Sequence, residues 1–210
     1  SIFEKIAYAT SKGIETRFFS NLSLLTEEKA EKLVKSGISR IKVSVDGNSA
    51  ETFEKIRSGL KFDVVMNNIE LLLKTRKKLG SRSPEVGLIY VETPENEHET
   101  KDFINKWQGR VDSIDISSYH NWAGGLGTEG VASDKRRFPC LRVWQTFTVL
   151  WNGEVSLCCM DYDGKVTLGN VRDNTIKEIF SGEKMRRIRE VHLTGDFKKI
   201  PLCSNCFARR

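Results

Sequence analysis

Four cysteines near the end of the chain have a spacing that suits a single metal centre. Cys140 and Cys158 lie on separate segments, and Cys203 and Cys206 form a C-x-x-C pair. Four thiolates are the ligand set of a structural zinc ion and also of an iron–sulfur cluster. We therefore expect these four side chains to converge on one centre, and their spacing alone leaves both metals open.

A fifth cysteine, Cys159, lies next to Cys158 and complicates the ligand assignment. Two β-rich runs flank Asn152-Gly153, which is the preferred pair for a two-residue type I′ hairpin turn. Alternation along the second strand places Cys159 on the apolar face and Cys158 on the opposite face. We expect Cys158 to be the ligand and Cys159 to be part of the core.

The composition indicates a globular protein in a reducing compartment. The chain has 210 residues, 39% of them hydrophobic, and an odd number of cysteines with no apolar leader segment, a pattern that argues against a disulfide scaffold. We therefore expect a cytoplasmic protein. No apolar run reaches the roughly 18 residues of a membrane span. The net charge of +6 accompanies no aromatic-interleaved basic motif, so neither a nucleic acid nor a membrane is expected as a partner.

The first 120 residues predict a regular alternation of strands and helices. Predicted strands cover 14–20, 38–45, 85–92 and 111–118, and predicted helices cover 1–12, 27–36, 50–57, 62–79 and 97–108. Such alternation indicates an α/β fold with a parallel sheet covered by helices, either open or rolled into a barrel. Glycines between 124 and 127 predict a linker at 123–139 between a domain at 1–122 and a cysteine-rich domain at 140–210.

Polar residues follow the predicted strands at their carboxyl ends, where parallel α/β proteins place their chemistry. Ser44 and Asp46 are two residues apart, hence on one strand face, where a hydroxyl and a carboxylate could meet a diol or an amine. A turn through Asp-Gly without any ligand explains them equally well. Arg57, after the next predicted helix, could pair a carboxylate. Of the histidines, only His120 lies just beyond a strand end, where it could face a site, whereas His192 belongs to a basic helix.

His98 stands in a run of polar residues that predicts a solvated helix start. The run contains Glu95, Asn96, Glu97 and Glu99. Neither an acid–base pair nor a nucleophile triad can be assembled from the titratable residues of the chain.

Several motifs together resemble the radical S-adenosylmethionine (radical SAM) enzymes with a SPASM/Twitch extension. The cysteine-rich part contains Cys140, the hairpin segment Gly153 to Cys158, Leu168-Gly-Asn-Val171 and Cys203-x-x-Cys206. Upstream, the resemblance includes Ser20-Asn21, Ile41-Lys-Val-Ser44-Val-Asp46-Gly47 and Glu54-Lys-Ile-Arg57-x-Gly59. The resemblance implies a partial (β/α) TIM-type barrel followed by a small domain of a β-hairpin and a helix that is rich in cysteine.

The resemblance also implies cofactors and their ligands. Cys140, Cys158, Cys203 and Cys206 would bind one auxiliary [4Fe–4S] cluster, and zinc could substitute for it. Asn21, Ser44, Asp46 and Arg57 would bind S-adenosylmethionine.

The C-x-x-x-C-x-x-C loop that carries the family's second [4Fe–4S] cluster is absent from this chain. The chain is therefore expected to be the carboxyl-terminal portion of a longer parent and to be inactive alone, and a naturally degenerate homologue is the alternative explanation. The family implies hydrogen abstraction from, or oxidation of, a peptide or a small sugar-like substrate, with flavodoxin or ferredoxin as reductant. A four-cysteine zinc module without catalysis is the alternative of a different class.

Overall fold

A computed structural model describes residues 1–119, 123, 138–204 and 206. The chain divides into two compact units, Ser1–Tyr119 and His120–Arg210. In the first unit the elements are α1 (Ile2–Ser11), β1 (Arg17–Ser20), α2 (Glu27–Lys35), β2 (Arg40–Ser44), α3 (Ala50–Ile56), α4 (Phe62–Lys78), β3 (Glu85–Glu92), a 3₁₀ turn (Glu97–Glu99), α5 (Thr100–Trp107) and β4 (Ser113–Ser118). In the second unit they are α6 (Arg142–Gln145), β5 (Thr148–Val149), β6 (Glu154–Ser156), β7 (Thr167–Asn170), α7 (Ile176–Ser181), α8 (Glu183–Thr194), a 3₁₀ turn (Phe197–Lys199) and α9 (Pro201–Ser204).

The first unit is an α/β structure with a four-stranded parallel sheet, as predicted. The strand order is β1-β2-β3-β4, so every crossover moves one strand in the same direction. Because βα crossovers are right-handed, this order places the helices on one face of the sheet, as in part of a barrel. The carboxyl ends of all four strands consequently lie at one edge.

Local capping explains where the first helices begin. The Ser1 hydroxyl accepts the N–H of Glu4 to start α1, and the Thr26 hydroxyl accepts the N–H of Lys29 to start α2. The Ser49 hydroxyl does the same for α3. Side-chain caps satisfy amide groups that have no partner within the helix. The starts of these helices are therefore determined by local residues of the sequence.

The two faces of the sheet differ in polarity. Ile41 and Val43 on β2 and Leu88 on β3 are fully buried against the helices. On the other face, Lys42 reaches across β3 to the hydroxyl of Ser113 at 2.8 Å and to the carboxylate of Asp115.

Gly87 makes this crossing possible. A Cβ at Gly87 would come within 2.5 Å of Ser113 Oγ and 2.8 Å of Lys42 Nζ. A larger residue at this point of β3 would therefore displace the side chains of Lys42 and Ser113 from these positions.

The second unit contains a small antiparallel sheet of β5, β6 and β7. The predicted hairpin is confirmed, but its turn differs from the predicted type. Leu150 pairs with Glu154, and the N–H of Gly153 donates to the carbonyl of Leu150 at 3.0 Å, with Gly153 at φ 88°. The loop thus has three residues, 151–153, and ends on a glycine in the left-handed conformation. It is not the two-residue type I′ turn, which would require a positive φ at Asn152 as well.

The predicted linker at 123–139 lies mostly outside the described residues, as does His120. In the described ranges, no helix is both long and apolar enough to cross a membrane.

Candidate metal centre

The four predicted ligand cysteines line one cavity in the second unit. Cys140 precedes α6, Cys158 follows β6, Cys203 belongs to α9, and Cys206 follows that helix. The cavity contains about 400 Å³ of empty space, including its open mouth. Residues from both ends of this unit therefore line the same cavity.

Local hydrogen bonds orient the two cysteines of the C-x-x-C pair. The N–H of Cys203 donates to the carbonyl of Ile200 at 2.8 Å, and the N–H of Cys206 donates to the carbonyl of Cys203 at 3.4 Å. This helical turn brings both side chains to the same cavity. The core of the unit, which includes Val155 and Met185, supports the turn from behind.

The remaining walls of the cavity are largely apolar. They include Ala123, Val143, Leu157, Met160 and Leu202. Burial raises the pKa of the Cys158 thiol, and the nearby Cys159 and Cys206 thiols raise it further. A thiol in such surroundings stays protonated until a metal replaces the proton. Among the described residues, no three His, Cys, Asp or Glu side chains are grouped closely enough to hold a single metal ion.

The prediction that Cys159 belongs to the core was wrong, because its side chain is exposed. β6 ends at Ser156, and its pairing with β7 is irregular between Val155 and Ser156. Strand alternation therefore no longer applies at Cys158 and Cys159. The Cys159 sulfur instead accepts a hydrogen bond from Arg142 Nη1 at 2.7 Å.

His192 also lines the cavity, although its surroundings in the sequence predicted only a place in a basic helix. It is only 1% exposed, its Nδ1 accepts the N–H of Cys140 at 3.2 Å, and its Nε2 lies 3.6 Å from the sulfur of Cys203. A signal for this position was present in the sequence. Met185, Ile188 and His192 follow the three- and four-residue spacing of a buried helix face.

At the carboxyl edge of the first unit, the structure brings Asp46 and Arg57 together. The Asp46 carboxylate binds Arg57 Nη2 and accepts the N–H of Val91 at 2.7 Å. Asp46 takes φ 49° directly after β2, so it does not continue the strand face of Ser44. Asn21 is exposed and accepts hydrogen bonds from Ser23 in a local turn.

Two further residues, Asn96 and Glu99, fix this edge. The Asn96 amide donates to the carbonyls of Asp46 and Val91 and is fully buried. Glu99 accepts the backbone N–H groups of Asn48 and Ser49 and the hydroxyls of Ser49 and Thr52. The interpretation of this segment as a solvated helix start was therefore wrong for both residues. His98 is exposed, as that interpretation required.

The pKa of Glu99 reflects these contacts. Burial acts to raise the pKa, but the hydrogen bonds from Ser49, Asn48 and Thr52 outweigh it, so the pKa is lowered. Glu99 is therefore ionised and binds the N–H and hydroxyl groups at the start of α3. It links the loop after β2 to the loop after β3.

Comparison with known families assigns both units. Residues 1–106, half of the 210 residues, match the model of the radical SAM superfamily, and residues 140–207 match an iron–sulfur cluster-binding domain called SPASM. The chain belongs to the radical SAM superfamily.

Curated relatives match over short stretches. The AdoMet-dependent heme synthase of Methanosarcina barkeri is 39% identical over 75 residues, which are 35% of this chain and 21% of the relative. A heme synthase of Nitratidesulfovibrio vulgaris is 38% identical over 56 residues, 27% of this chain and 15% of the relative. The matched stretches thus span about a fifth or less of these relatives.

Solved structures share the fold at low sequence identity. The enzyme anSMEcpe with bound AdoMet has a TM-score of 0.64 and 17% identity, with 96% of this chain and 66% of that chain covered. BtrN in complex with AdoMet and 2-DOIA has a TM-score of 0.55 and 15% identity, and the match covers 98% of this chain and 78% of the BtrN chain. At these identities the likeness establishes the fold alone.

Proposed function

We propose that this chain is the auxiliary-cluster portion of a radical SAM enzyme, with its cluster ligated by Cys140, Cys158, Cys203 and Cys206. The observation that carries the proposal is the convergence of these four side chains, from both ends of the second unit, on one cavity. Thiolate ligands in an apolar pocket suit an iron–sulfur cluster, whose potential depends on burial and on hydrogen bonds to sulfur. The domain match at residues 140–207 supports the same assignment.

The residues around the cavity would bind and shield the group. Val143, Leu157 and Leu202 would keep water from the cluster, and the four thiolates would hold it at fixed positions. When bound, an auxiliary [4Fe–4S] cluster supplies one-electron redox chemistry. With all its irons ligated by cysteine, it would exchange electrons and leave substrate binding to other residues.

In the first unit, we propose that Asn21, Ser44, Asp46 and Arg57 contribute to the site of S-adenosylmethionine. Asp46 would act mainly by orienting Arg57, because its carboxylate already binds that residue and the N–H of Val91. The Arg57 side chain as a whole is 32% exposed, whereas its Nε is buried and has no hydrogen-bond partner among the described residues. Arg57 can therefore donate to a bound anionic group such as a carboxylate.

The parent enzyme is proposed to cleave S-adenosylmethionine and to abstract hydrogen from, or oxidise, its substrate. No C-x-x-x-C-x-x-C segment occurs in this chain, so we propose that cleavage requires residues outside it and that the chain alone is inactive. The second [4Fe–4S] cluster would belong to those residues. A flavodoxin or a ferredoxin would supply electrons, and a reducing cytoplasm would keep the thiols available.

A peptide or a small sugar-like molecule is the proposed substrate class. One fold neighbour is described with AdoMet and the peptide Kp18Cys, at a TM-score of 0.59 and 16% identity. The heme synthases that match short stretches add heme precursors to the compounds that should be tested. The assay is release of 5′-deoxyadenosine by the parent enzyme with each class, and substrate-dependent release with one class would identify it.

Metal analysis tests the cluster assignment. The chain is reconstituted anaerobically with iron, sulfide and zinc, and each element is measured beside the absorption spectrum. About four iron and four sulfide per chain are expected, whereas zinc without iron would indicate a structural zinc module instead.

Cys158→Ala and Cys159→Ala are a matched pair of variants for this assay. Cys158→Ala should abolish the iron centre, because Cys158 lines the cavity. Cys159→Ala should retain it, because that side chain is exposed and bound by Arg142. The reverse result would contradict the ligand assignment.

A further inference from the structure

His192 lies between two of the proposed ligand cysteines. It belongs to α8, is 1% exposed, and packs its ring against Trp144 and Phe197, with centroid distances of 6.3 Å and 5.2 Å. Its Nδ1 accepts the backbone N–H of Cys140 at 3.2 Å. Its Nε2 lies 3.6 Å from the sulfur of Cys203. One buried ring thus contacts both ends of the cysteine-rich unit.

The contact at Nδ1 determines which ring nitrogen carries the proton. A nitrogen that accepts a hydrogen bond has no proton of its own, and a neutral imidazole carries one proton in total. The proton of His192 therefore lies on Nε2, the nitrogen that faces Cys203. The ring is arranged to donate an N–H to sulfur.

We propose that His192 is a positioning residue that tunes the auxiliary cluster through an Nε2–H···S hydrogen bond to Cys203. The inference rests on the proposed function, because it needs a cluster on these thiolates. Reduction adds one negative charge to a cluster, and part of that charge resides on its sulfurs. A donor at a ligand sulfur stabilises the reduced form more than the oxidised form and so raises the reduction potential.

Two substitutions separate the two contacts of the ring. In His192→Asn, the amide oxygen takes the place of Nδ1 and can still accept the N–H of Cys140, but no donor reaches Cys203. In His192→Gln, the amide nitrogen takes the place of Nε2 and keeps the donor to sulfur. A purely structural role for the ring predicts similar effects of both changes on the cluster.

The measurement is an anaerobic potentiometric titration of the reconstituted chain, followed by electron paramagnetic resonance. For His192→Asn we expect the ratio of oxidised to reduced cluster at a given potential to rise roughly tenfold, which for a one-electron couple means a reduction potential lower by about 59 mV. For His192→Gln we expect this ratio to change less than threefold. His98→Asn, an exposed histidine in the other unit, serves as control and should equal the wild type.

Equal potentials in wild type and His192→Asn, at equal iron content, would overturn the proposal. A wild-type chain that takes up no iron and sulfide would instead refute the proposed function, so the two failures are distinguishable.

A second measurement needs no substitution and covers the case in which a variant fails to fold. In wild type labelled with ¹⁵N-histidine, the reduced cluster should show hyperfine coupling to one histidine nitrogen and to an exchangeable proton. The absence of both couplings would also overturn the proposal.

Discussion

Replacement of Asp46 tests how the carboxyl edge of the first unit is held together. Its side chain is 5% exposed, Oδ1 accepts the N–H of Val91 at 2.7 Å, and Oδ2 binds Arg57. The backbone of Asp46 has φ 49°, a conformation that asparagine tolerates better than alanine. Asp46→Asn therefore keeps one acceptor oxygen for the N–H of Val91 but removes the charge and the acceptor for Arg57, whereas Asp46→Ala removes the charge, both acceptors and the tolerance for this conformation.

The expected losses of unfolding free energy follow from these contacts. Hydrogen bonds to a charged group contribute about 1.5–3 kcal/mol and neutral ones about 0.5–1.5, so Asp46→Asn should cost about 1–2 kcal/mol. Asp46→Ala also leaves the N–H of Val91 without an acceptor, at about 1–3 kcal/mol, and adds about 1 kcal/mol of backbone strain. Its total should therefore be about 4 kcal/mol.

Hydrogen exchange in urea, measured by mass spectrometry on peptides from residues 1–119, reports the stability of this unit separately. Asp102→Asn, an exposed carboxylate on α5, is the control and should change stability by less than about 0.5 kcal/mol. If Asp46→Asn is as stable as the wild type, the ion pair between Asp46 and Arg57 does not stabilise the unit. Equal losses for the Asn and Ala variants would refute the roles given to the acceptor and the backbone.

Three further substitutions test other contacts. Glu99→Gln should destabilise the first unit at pH 7 by about 1–3 kcal/mol. Because folding lowers the pKa of Glu99, this loss is complete above the pKa of about 4.3 in the unfolded chain and disappears as the pH falls through the pKa of the folded state. Urea unfolding of both proteins from pH 7 to pH 3 would detect the change. Gly87→Ala should lower the midpoint of thermal unfolding and displace Lys42 from Ser113, because the new Cβ would lie 2.5 Å from Ser113 Oγ. An unchanged midpoint would contradict the contact of Lys42 with Ser113 across β3. Gly153→Ala should destabilise the hairpin by about 1–2 kcal/mol, from its φ of 88° and from a Cβ 2.8 Å from Asn170 Oδ1, and unchanged exchange rates in β5 and β6 would argue against this turn.

Much of the fold was predictable because its signals are local. β3 covers Glu85–Glu92, as its β-rich run predicted, and α2 begins after the Thr26 cap. The four cysteines line one cavity, which agrees with the reasoning from their spacing, whereas the metal that they would bind stays a prediction.

The errors arose where distant residues decide the outcome. Asn96 is buried and Glu99 is partly buried because their partners lie about 50 residues earlier in the chain, around Asp46 and Ser49. Cys159 is exposed because β6 ends early and its pairing with β7 is irregular, which no pattern within the hairpin indicates. His192 could have been placed by its helix periodicity, but its contacts with Cys140 and Cys203 depend on packing.

The placement of the four cysteines at opposite ends of one unit also has a mechanical consequence. A group bound by all four would join Cys140 to Cys203 and close a loop of roughly 60 residues, as a cross-link does. A permanent cross-link over such a loop removes about 4 kcal/mol of entropy from the unfolded chain. Loss of the bound group would remove this cross-link, so the unit without it should be cut by proteases more readily than the unit that holds it.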